Sequence, residues 1–268
     1  MARRRLENGI ALVTGASSGI GRELAIQLAA AQVAVLVTAR RANRLDEVVA
    51  QIREQGGQAH AVVGDIALSE TRKRLIETCV DRFGKLDFLV NNAGISAMGK
   101  FAEASAERLR QIMEVNFFAP AELTRLAIPL LRQSDRAMIV NMGSVLGHRA
   151  VGLKSEYCAS KFALHGLSDS IRAELASDKI DLLLVSPSTT DSELFESAIE
   201  DGTGVEWKGR NAAKPEVVAR KTLLAMRRGT HEIILTPGGK VLVWIDRLAP
   251  TLANRLVQRS TPRTKKKL

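Results

Sequence analysis

Tyr157 is the only tyrosine in the chain, and Lys161 follows it four residues on. On a helix that spacing puts both side chains on one face. An ammonium beside a phenol favours the phenolate and lowers the tyrosine pKa, which makes the hydroxyl usable as a general acid or base near neutral pH. A tyrosine and a lysine at this distance also arise by chance, so the pair gains weight only from its surroundings.

A second group of residues could hold a phosphate. The run Thr14-Gly15-Ala16-Ser17-Ser18-Gly19-Ile20-Gly21 follows an apolar segment and opens a helical one. Glycines there let backbone N–H groups approach a pyrophosphate at a helix N-terminus, where the dipole favours negative charge. The rival reading is a tight turn and nothing more. The end of the next apolar run carries Arg40 and Arg41, with no Asp or Glu between Val33 and Asn43. An acid at that place bonds a ribose 2′-hydroxyl, whereas an arginine accommodates a 2′-phosphate, so the pattern favours NADP(H) over NAD(H). Two arginines could instead just start a helix, although cations there oppose its dipole.

These groups need elements to carry them. Apolar, β-branched runs at Ile10–Val13, Val33–Ala39, Ala59–Val63, Leu86–Val90, Met138–Asn141, Ile180–Val185 and Glu232–Leu235 read as strands buried on both faces. Between them, Ile20–Ala31, Leu45–Gln55, Ser69–Phe83 and Ser105–Leu131 have apolar residues at helical spacing. The alternation predicts an α/β, doubly wound, Rossmann-type parallel sheet of seven strands with helices on both faces, in one domain. We expect a basic arm over 1–8, the dinucleotide-binding and catalytic domain over 9–240, and an amphipathic extension with a basic tail over 241–268. The polar stretch from Ser188 to Pro215, with Phe195 and Trp207, reads as a binding loop or lid. Beyond it, Val241, Ile245, Leu248, Leu252 and Leu256 form an apolar stripe broken by Pro250, a kinked helix or helix pair.

The composition sets outer limits. With 268 residues, 46% hydrophobic and 25% charged, the chain is neither disordered nor a disulfide scaffold. Cys79 and Cys158 read as reduced thiols, and His60, His148, His165 and His231 form no linear metal motif, so no metal is expected. No apolar run is long enough to span a membrane and no secretory leader is evident, which gives a cytoplasmic expectation. The net charge of +10 sits at the ends: Arg3, Arg4 and Arg5, then Arg247, Arg255, Arg259, Arg263, Lys265, Lys266 and Lys267 without an acid among them. With those ten set aside, 29 basic residues face 29 acidic ones. A neutral body with basic ends does not favour specific nucleic-acid binding. Solvated tails are the plain reading, and attraction to an anionic membrane or partner is the alternative.

Taken together, these residues resemble the classical short-chain dehydrogenase/reductase family across about residues 8–240. The similarity rests on Thr14-Gly15-x-x-x-Gly19-x-Gly21, Asp65, Asn91-Asn92-Ala93-Gly94, Asn116, Ser144, Tyr157-x-x-x-Lys161 and Ser186-Pro187, all in the family's order. The resemblance implies that Tyr157 exchanges a proton with a carbonyl or alcohol oxygen while Ser144 hydrogen-bonds that oxygen. Lys161 would bind the nicotinamide ribose and lower the tyrosine pKa, and Asn116 would hold a water linking Lys161 to solvent. It assigns Ser17, Ser18 and Ile20 to the phosphate turn, Asp65 and Ile66 to the adenine, and Asn92, Ala93 and Gly94 to the ribose face. Thr190 and Ser192 would meet the nicotinamide carboxamide, with Pro187 also at the cofactor. Ser188 and Ser192 depart from the glycine and threonine usual in the family, which puts the loop geometry in question.

The extension past the last strand is similar to that of hydroxysteroid and retinoid dehydrogenase branches, where it covers the substrate cleft or rests on a membrane. The expectation is therefore an NADP(H)-dependent oxidoreductase acting on a small or apolar, lipid- or steroid-like carbonyl or alcohol. The alternative is a protein that senses NADP(H) without turnover. Docking of the extension on the domain or on a second subunit comes before weak peripheral membrane contact. By resemblance, helices after Ser105 and Ser155 would join a homo-oligomer, a dimer or tetramer.

Overall fold

Runs of apolar residues with no polar alternation leave neither face for water, so they become inner strands of a sheet covered on both sides. The computed structural model describes residues 4–191, 193, 199 and 212–260. Its strands are β1 (Ile10–Thr14), β2 (Ala34–Ala39), β3 (Ala59–Val63), β4 (Phe88–Asn91), β5 (Met138–Met142), β6 (Asp181–Ser186) and β7 (Glu232–Ile234). Each expected run is a strand, with ends moved by at most two residues. All pair in parallel, in the order β3-β2-β1-β4-β5-β6-β7.

Alternate strand residues feed two cores. On one face Val13, Val35, Val37, Val90 and Val140 pack with Leu24 and Leu28 of α1 (Gly19–Ala30), Val48 of α2 (Ala42–Glu54) and Val218 of α7 (Pro215–Arg228). On the other, Leu12, Leu36, Leu89, Ile139 and Leu182 meet Leu75 of α3 (Ser69–Phe83), Leu123 and Ala127 of α5 (Ala119–Leu131) and Leu175 of α6 (Ser155–Leu175). The chain winds outward from β1 to β3, then returns to β4 and winds the other way. That reversal opens a crevice past the carboxyl ends of β1 and β4, where doubly wound sheets bind their ligands.

The segment from Ser105 to Leu131 is not one helix. α4 (Ala106–Met113) gives way to a π turn over Glu114–Phe118 before α5 resumes. A π turn inserts a residue and usually marks a place where something other than the helix takes the hydrogen bonds. The C-terminal stripe becomes a helix pair, α8 (Pro237–Leu248) and α9 (Pro250–Ser260), parted where Pro250 cannot continue the ladder. At the other end, Leu6 is fully buried, Arg4 pairs with Asp181, and Arg227 pairs with Glu7. Among the described residues no helix is long and apolar enough to cross a membrane. Ser192, Phe195, Trp207, Arg3, Arg263, Lys265, Lys266 and Lys267 lie outside the described residues.

Candidate active site

The phosphate turn is built by contact with the next strand across the switch point. Thr14 ends β1, and its Oγ1 accepts from the backbone N–H groups of Asn92 and Ala93, each at 3.0 Å. The Asn92 amide answers by donating to Thr14 O at 2.9 Å and Gly15 O at 3.2 Å. Gly15 has φ +65°, and a Cβ at Gly21 would lie 2.3 Å from Asn92 Nδ2 and 2.4 Å from Gly15 O. Those approaches explain two of the glycines. They hold the N-terminus of α1, which has no acidic residue in its first turn and no side-chain cap at Ser18, toward the crevice. Uncapped N–H groups at a positive dipole end are an anion site in waiting.

The two arginines after β2 divide their work. Arg41 donates to Ser17 Oγ at 3.0 Å and Ser18 Oγ at 2.8 Å, and pairs with Glu193 at 2.7 Å. Arg40 lines the same crevice, is exposed, and makes no hydrogen bond or ion pair with the other described residues. Asp65 turns the chain after β3 by accepting from Ala67 N at 3.0 Å. The adjoining carbonyls of Ile66 and Ala67 are held by buried Arg72, which pairs with Glu122 at 2.5 Å.

Four polar side chains expected to act together do converge, and each is at most 8% exposed: Asn116, Ser144, Tyr157 and Lys161. Ser144 follows β5 and accepts from Leu146 N at 3.0 Å, starting the short 3-10 turn Val145–Gly147. Tyr157 and Lys161 stand on the first turns of α6, with the Lys161 ammonium 5.7 Å from the Tyr157 ring centre. Lys161 Nζ donates to Met142 O at 2.8 Å, and no carboxylate among the described residues pairs with it. Asn116 sits in the π turn with its Nδ2 donating to Ile95 O at 2.9 Å and Ser160 Oγ at 3.0 Å. Its Oδ1 accepts from Ile95 N at 2.9 Å. These bonds to another segment are what turn the helix aside there.

Electrostatics differ from the spacing argument in one respect. Burial pushes Tyr157 up to about 12, a hydrogen bond with Ser144 pulling the other way. The expected lowering by Lys161 is not found; desolvation of the phenolate sets the direction. The same burial brings Lys161 down to about 8. At neutral pH the pair is therefore a protonated phenol beside an ammonium.

One cavity of about 700 Å³ joins all of this. It is lined by Gly15, Ser17, Ser18, Gly19 and Ile20 at one end, and by Arg40, Asp65, Ile66, Asn92, Ala93 and Gly94 along its length. Ser144, Tyr157, Lys161, Pro187 and Thr190 line the other end. Gly21 and Asn116 support the wall from behind. The size is that of an ordinary small-molecule or cofactor site. Several apolar groups close the catalytic end, Val145, Leu146 and Val151 among them, together with Leu242 from α8. Pattern reading gave no part to Leu242 or to buried Lys154, because neither belongs to a motif. Nor did it bring His148 and His165 together, although their ring centres are 4.3 Å apart behind the Ser144 turn. Seventeen residues separate them in sequence, and only the packing of the turn on α6 closes that distance.

Comparison with known proteins agrees with this geometry. Residues 9–202 match the family described as short chain dehydrogenase. An uncharacterized oxidoreductase of Bacillus subtilis, YxnA, is 30% identical over 96% of this chain and 73% of its own length. The 11-beta-hydroxysteroid dehydrogenase 1A of Arabidopsis thaliana is 36% identical over 73% of this chain and 56% of its own. Among solved structures, a short-chain dehydrogenase from Streptomyces avermitilis superposes with a TM-score of 0.80 at 31% identity, covering 96% of this chain and 99% of that one. One from Burkholderia phymatum, in complex with NAD, superposes at 0.84 with 22% identity, over 98% and 99% of the two chains.

Proposed function

This chain belongs to the short chain dehydrogenase family of oxidoreductases, and from that premise we propose that it interconverts a carbonyl and an alcohol with NADP(H). The observation that carries the reading is the single cavity, which has an uncapped helix N-terminus at one end and Ser144, Tyr157 and Lys161 at the other. A dinucleotide fits those residues: the α1 N-terminus suits its pyrophosphate, and the buried ammonium of Lys161 has no carboxylate partner among the described residues. When bound, the nicotinamide supplies hydride exchange with the substrate carbon.

The protein's own part is proton traffic and position. Tyr157 gives a proton to the carbonyl oxygen in reduction and takes one from the alcohol in oxidation. Its raised pKa keeps it protonated at neutral pH, the form that reduction draws on. Ser144 hydrogen-bonds the same oxygen, and Lys161 binds the nicotinamide ribose. Asn116 positions Ile95 and Ser160, and the remaining lone pair of Oδ1 would hold the water linking Lys161 to solvent. Ser17, Ser18, Gly19 and Ile20 receive the pyrophosphate, Asp65 and Ile66 the adenine, Asn92 to Gly94 the ribose, and Thr190 and Ser192 the carboxamide, with Pro187 also at the cofactor.

Preference for NADP(H) rests on Arg40, a cation at the cavity rim with no partner among the described residues. The apolar catalytic end and Leu242 support an apolar, lipid- or steroid-like substrate, as does similarity to proteins named hydroxysteroid dehydrogenases. Exposed Phe118 and Phe162, on the segments after Ser105 and Ser155, support the homo-oligomer, which sedimentation velocity tests.

The decisive experiment follows NADPH and NADH consumption over ketones, aldehydes, steroids and quinones, with wild type beside Tyr157→Phe. General acid–base catalysis contributes about 10²- to 10⁴-fold. A loss of that order with cofactor binding intact is expected. Equal rates in the two proteins would refute Tyr157 as proton donor, and tight cofactor binding with no turnover on any substrate would favour an NADP(H) sensor.

A further inference from the structure

Behind the turn that carries Ser144, on the side away from the cavity, three metal-ligating side chains meet from distant parts of the chain. His148 leaves the 3-10 turn, His165 lies one turn of α6 beyond Lys161, and Glu232 opens β7. Each offers a ligand atom, and these atoms lie within 4.8 Å of one another. His148 Nε2 is 2.8 Å from Ser186 Oγ and 3.2 Å from Glu232 Oε1. We propose that His148, His165 and Glu232 form a site for a divalent transition metal of the zinc class, with the Ser186 hydroxyl or water as the fourth ligand.

Two imidazoles and a carboxylate are a donor set that zinc accepts, with bonds of about 2.0–2.2 Å. Tetrahedral bonds of that length space ligands roughly 3.4 Å apart, and the His148–Glu232 separation of 3.2 Å is already close to it. A polar atom left without a hydrogen bond lies in the cluster. Glu232 Oε1 is buried, makes no hydrogen bond and faces His148 Nε2, and the His148 side chain is only 2% exposed. Buried polar groups are seldom left so, because each carries its full desolvation cost.

His165 is prepared in the manner of a ligand. The Gly147 carbonyl can only accept, so the ring nitrogen Nδ1, 3.1 Å away, carries the proton. That leaves Nε2 as the nitrogen for a ligand, the second-sphere arrangement by which proteins orient ligating histidines. Nε2 lies 3.3 Å from Asp169 Oδ2. Arg247 from α8 acts on His148 as a like charge would and Asp169 opposes it, while Glu232 lies 3.2 Å from the His148 ring. Glu232 is about one-third exposed, which gives the ion its way in.

Such an ion would fasten the Ser144 turn to the helix of Tyr157 and Lys161 and to the β6–β7 edge. The proposal rests on the cluster alone and is independent of the oxidoreductase reading. Its test is titration of the full-length, chelator-treated protein with Co²⁺, followed by its visible absorption, and with Zn²⁺ in competition. One equivalent of Co²⁺ should bind and be displaced by Zn²⁺, and one equivalent of Zn²⁺ should raise Tm. His148→Gln, His165→Gln and Glu232→Gln should each weaken Co²⁺ at least tenfold, while His60→Gln on β3 should not. Should His148→Gln fail to fold, the partly exposed His165 and Glu232 variants still decide the matter. Absence of stoichiometric Co²⁺ uptake by wild type, or uptake indifferent to all three substitutions, overturns the proposal.

Discussion

Tyr157 and Lys161 show how burial reshapes a pair whose chemistry is fixed by type and spacing. Lys161 has a folded pKa of about 8 against an ordinary 10.5. Between those values the unfolded chain keeps a proton that the folded one has released, so this group makes stability rise with pH over that window. Tyr157, at about 12 against 10, works the other way above pH 10, where folding must retain a proton that the unfolded chain has lost. Lys161→Met should therefore flatten the rise in the urea midpoint between pH 8 and 10, and a slope equal to wild type would contradict the buried ammonium. If the charge on Lys161 supports turnover, reduction should also fall as pH passes about 8. Arg40 gives a second test. A hydrogen bond to a charged group is worth about 1.5–3 kcal/mol, which is roughly ten- to a hundredfold in affinity. Arg40→Ala should raise the KM for NADPH by that factor and leave NADH unchanged; an equal effect on both cofactors would leave Arg40 no role in reading the phosphate. Residue types and order were enough to bring Gly15, Arg40, Ser144, Tyr157 and Lys161 to one cavity. They could not reveal the electrostatic balance, since desolvation is set by neighbours far along the chain, nor that Arg41 is spent on Ser17, Ser18 and Glu193.

Among the elements, the strands were legible because burial on both faces imposes a local composition, while the π turn was not. Its cause is Asn116 reaching Ile95 and Ser160, 21 and 44 residues away, and no helical periodicity records such a bond. A comparable long-range tie fixes where α6 begins. Arg108 of α4 donates through Nε and Nη2 to Glu156 Oε1 at 3.0 and 2.6 Å, and the two side chains are 3% and 1% exposed. Glu156 immediately precedes Tyr157, so the pair sets the register of the catalytic face against α4. Breaking a buried pair from one side leaves an uncompensated charge, at a cost of about 3–5 kcal/mol. Glu156→Ala should lose stability of that order in urea unfolding and lower turnover with it. Joint replacement of Arg108 and Glu156 by leucine should recover most of the stability, because an apolar pair needs no compensation. If the double variant is no better than the single one, the pair is not acting as a unit.

Across the whole molecule, the excess charge lies at the chain ends, and at the C-terminal one it is joined by exposed apolar groups. The span from Leu6 to Asp246 is formally neutral, whereas every charged residue after Asp246 is basic. The α8–α9 pair packs inward through Val243 and Ala253, and lends Leu242 to the cavity wall. Its other side leaves Val241, Trp244, Leu248, Leu252 and Leu256 between 43% and 78% exposed. Lys240, Arg247, Arg255 and Arg259 lie among them, and the acid there, Asp246, is held by Arg149 at 2.8 Å. Two copies of so basic a face would repel each other, while an anionic lipid surface answers both the charge and the apolar groups. We therefore propose a weak peripheral contact, to which each basic residue near the surface contributes about 1 kcal/mol. The protein should sediment with vesicles rich in anionic lipid and not with zwitterionic ones. Release is expected as salt shortens the Debye length below its roughly 8 Å at 0.15 M. Replacing Trp244 and Leu248 together by serine should reduce sedimentation several-fold while leaving turnover on a water-soluble carbonyl unchanged, because neither side chain lines the cavity. Sedimentation undiminished in that variant would place the contact elsewhere, and loss of binding by wild type at every salt concentration would remove it.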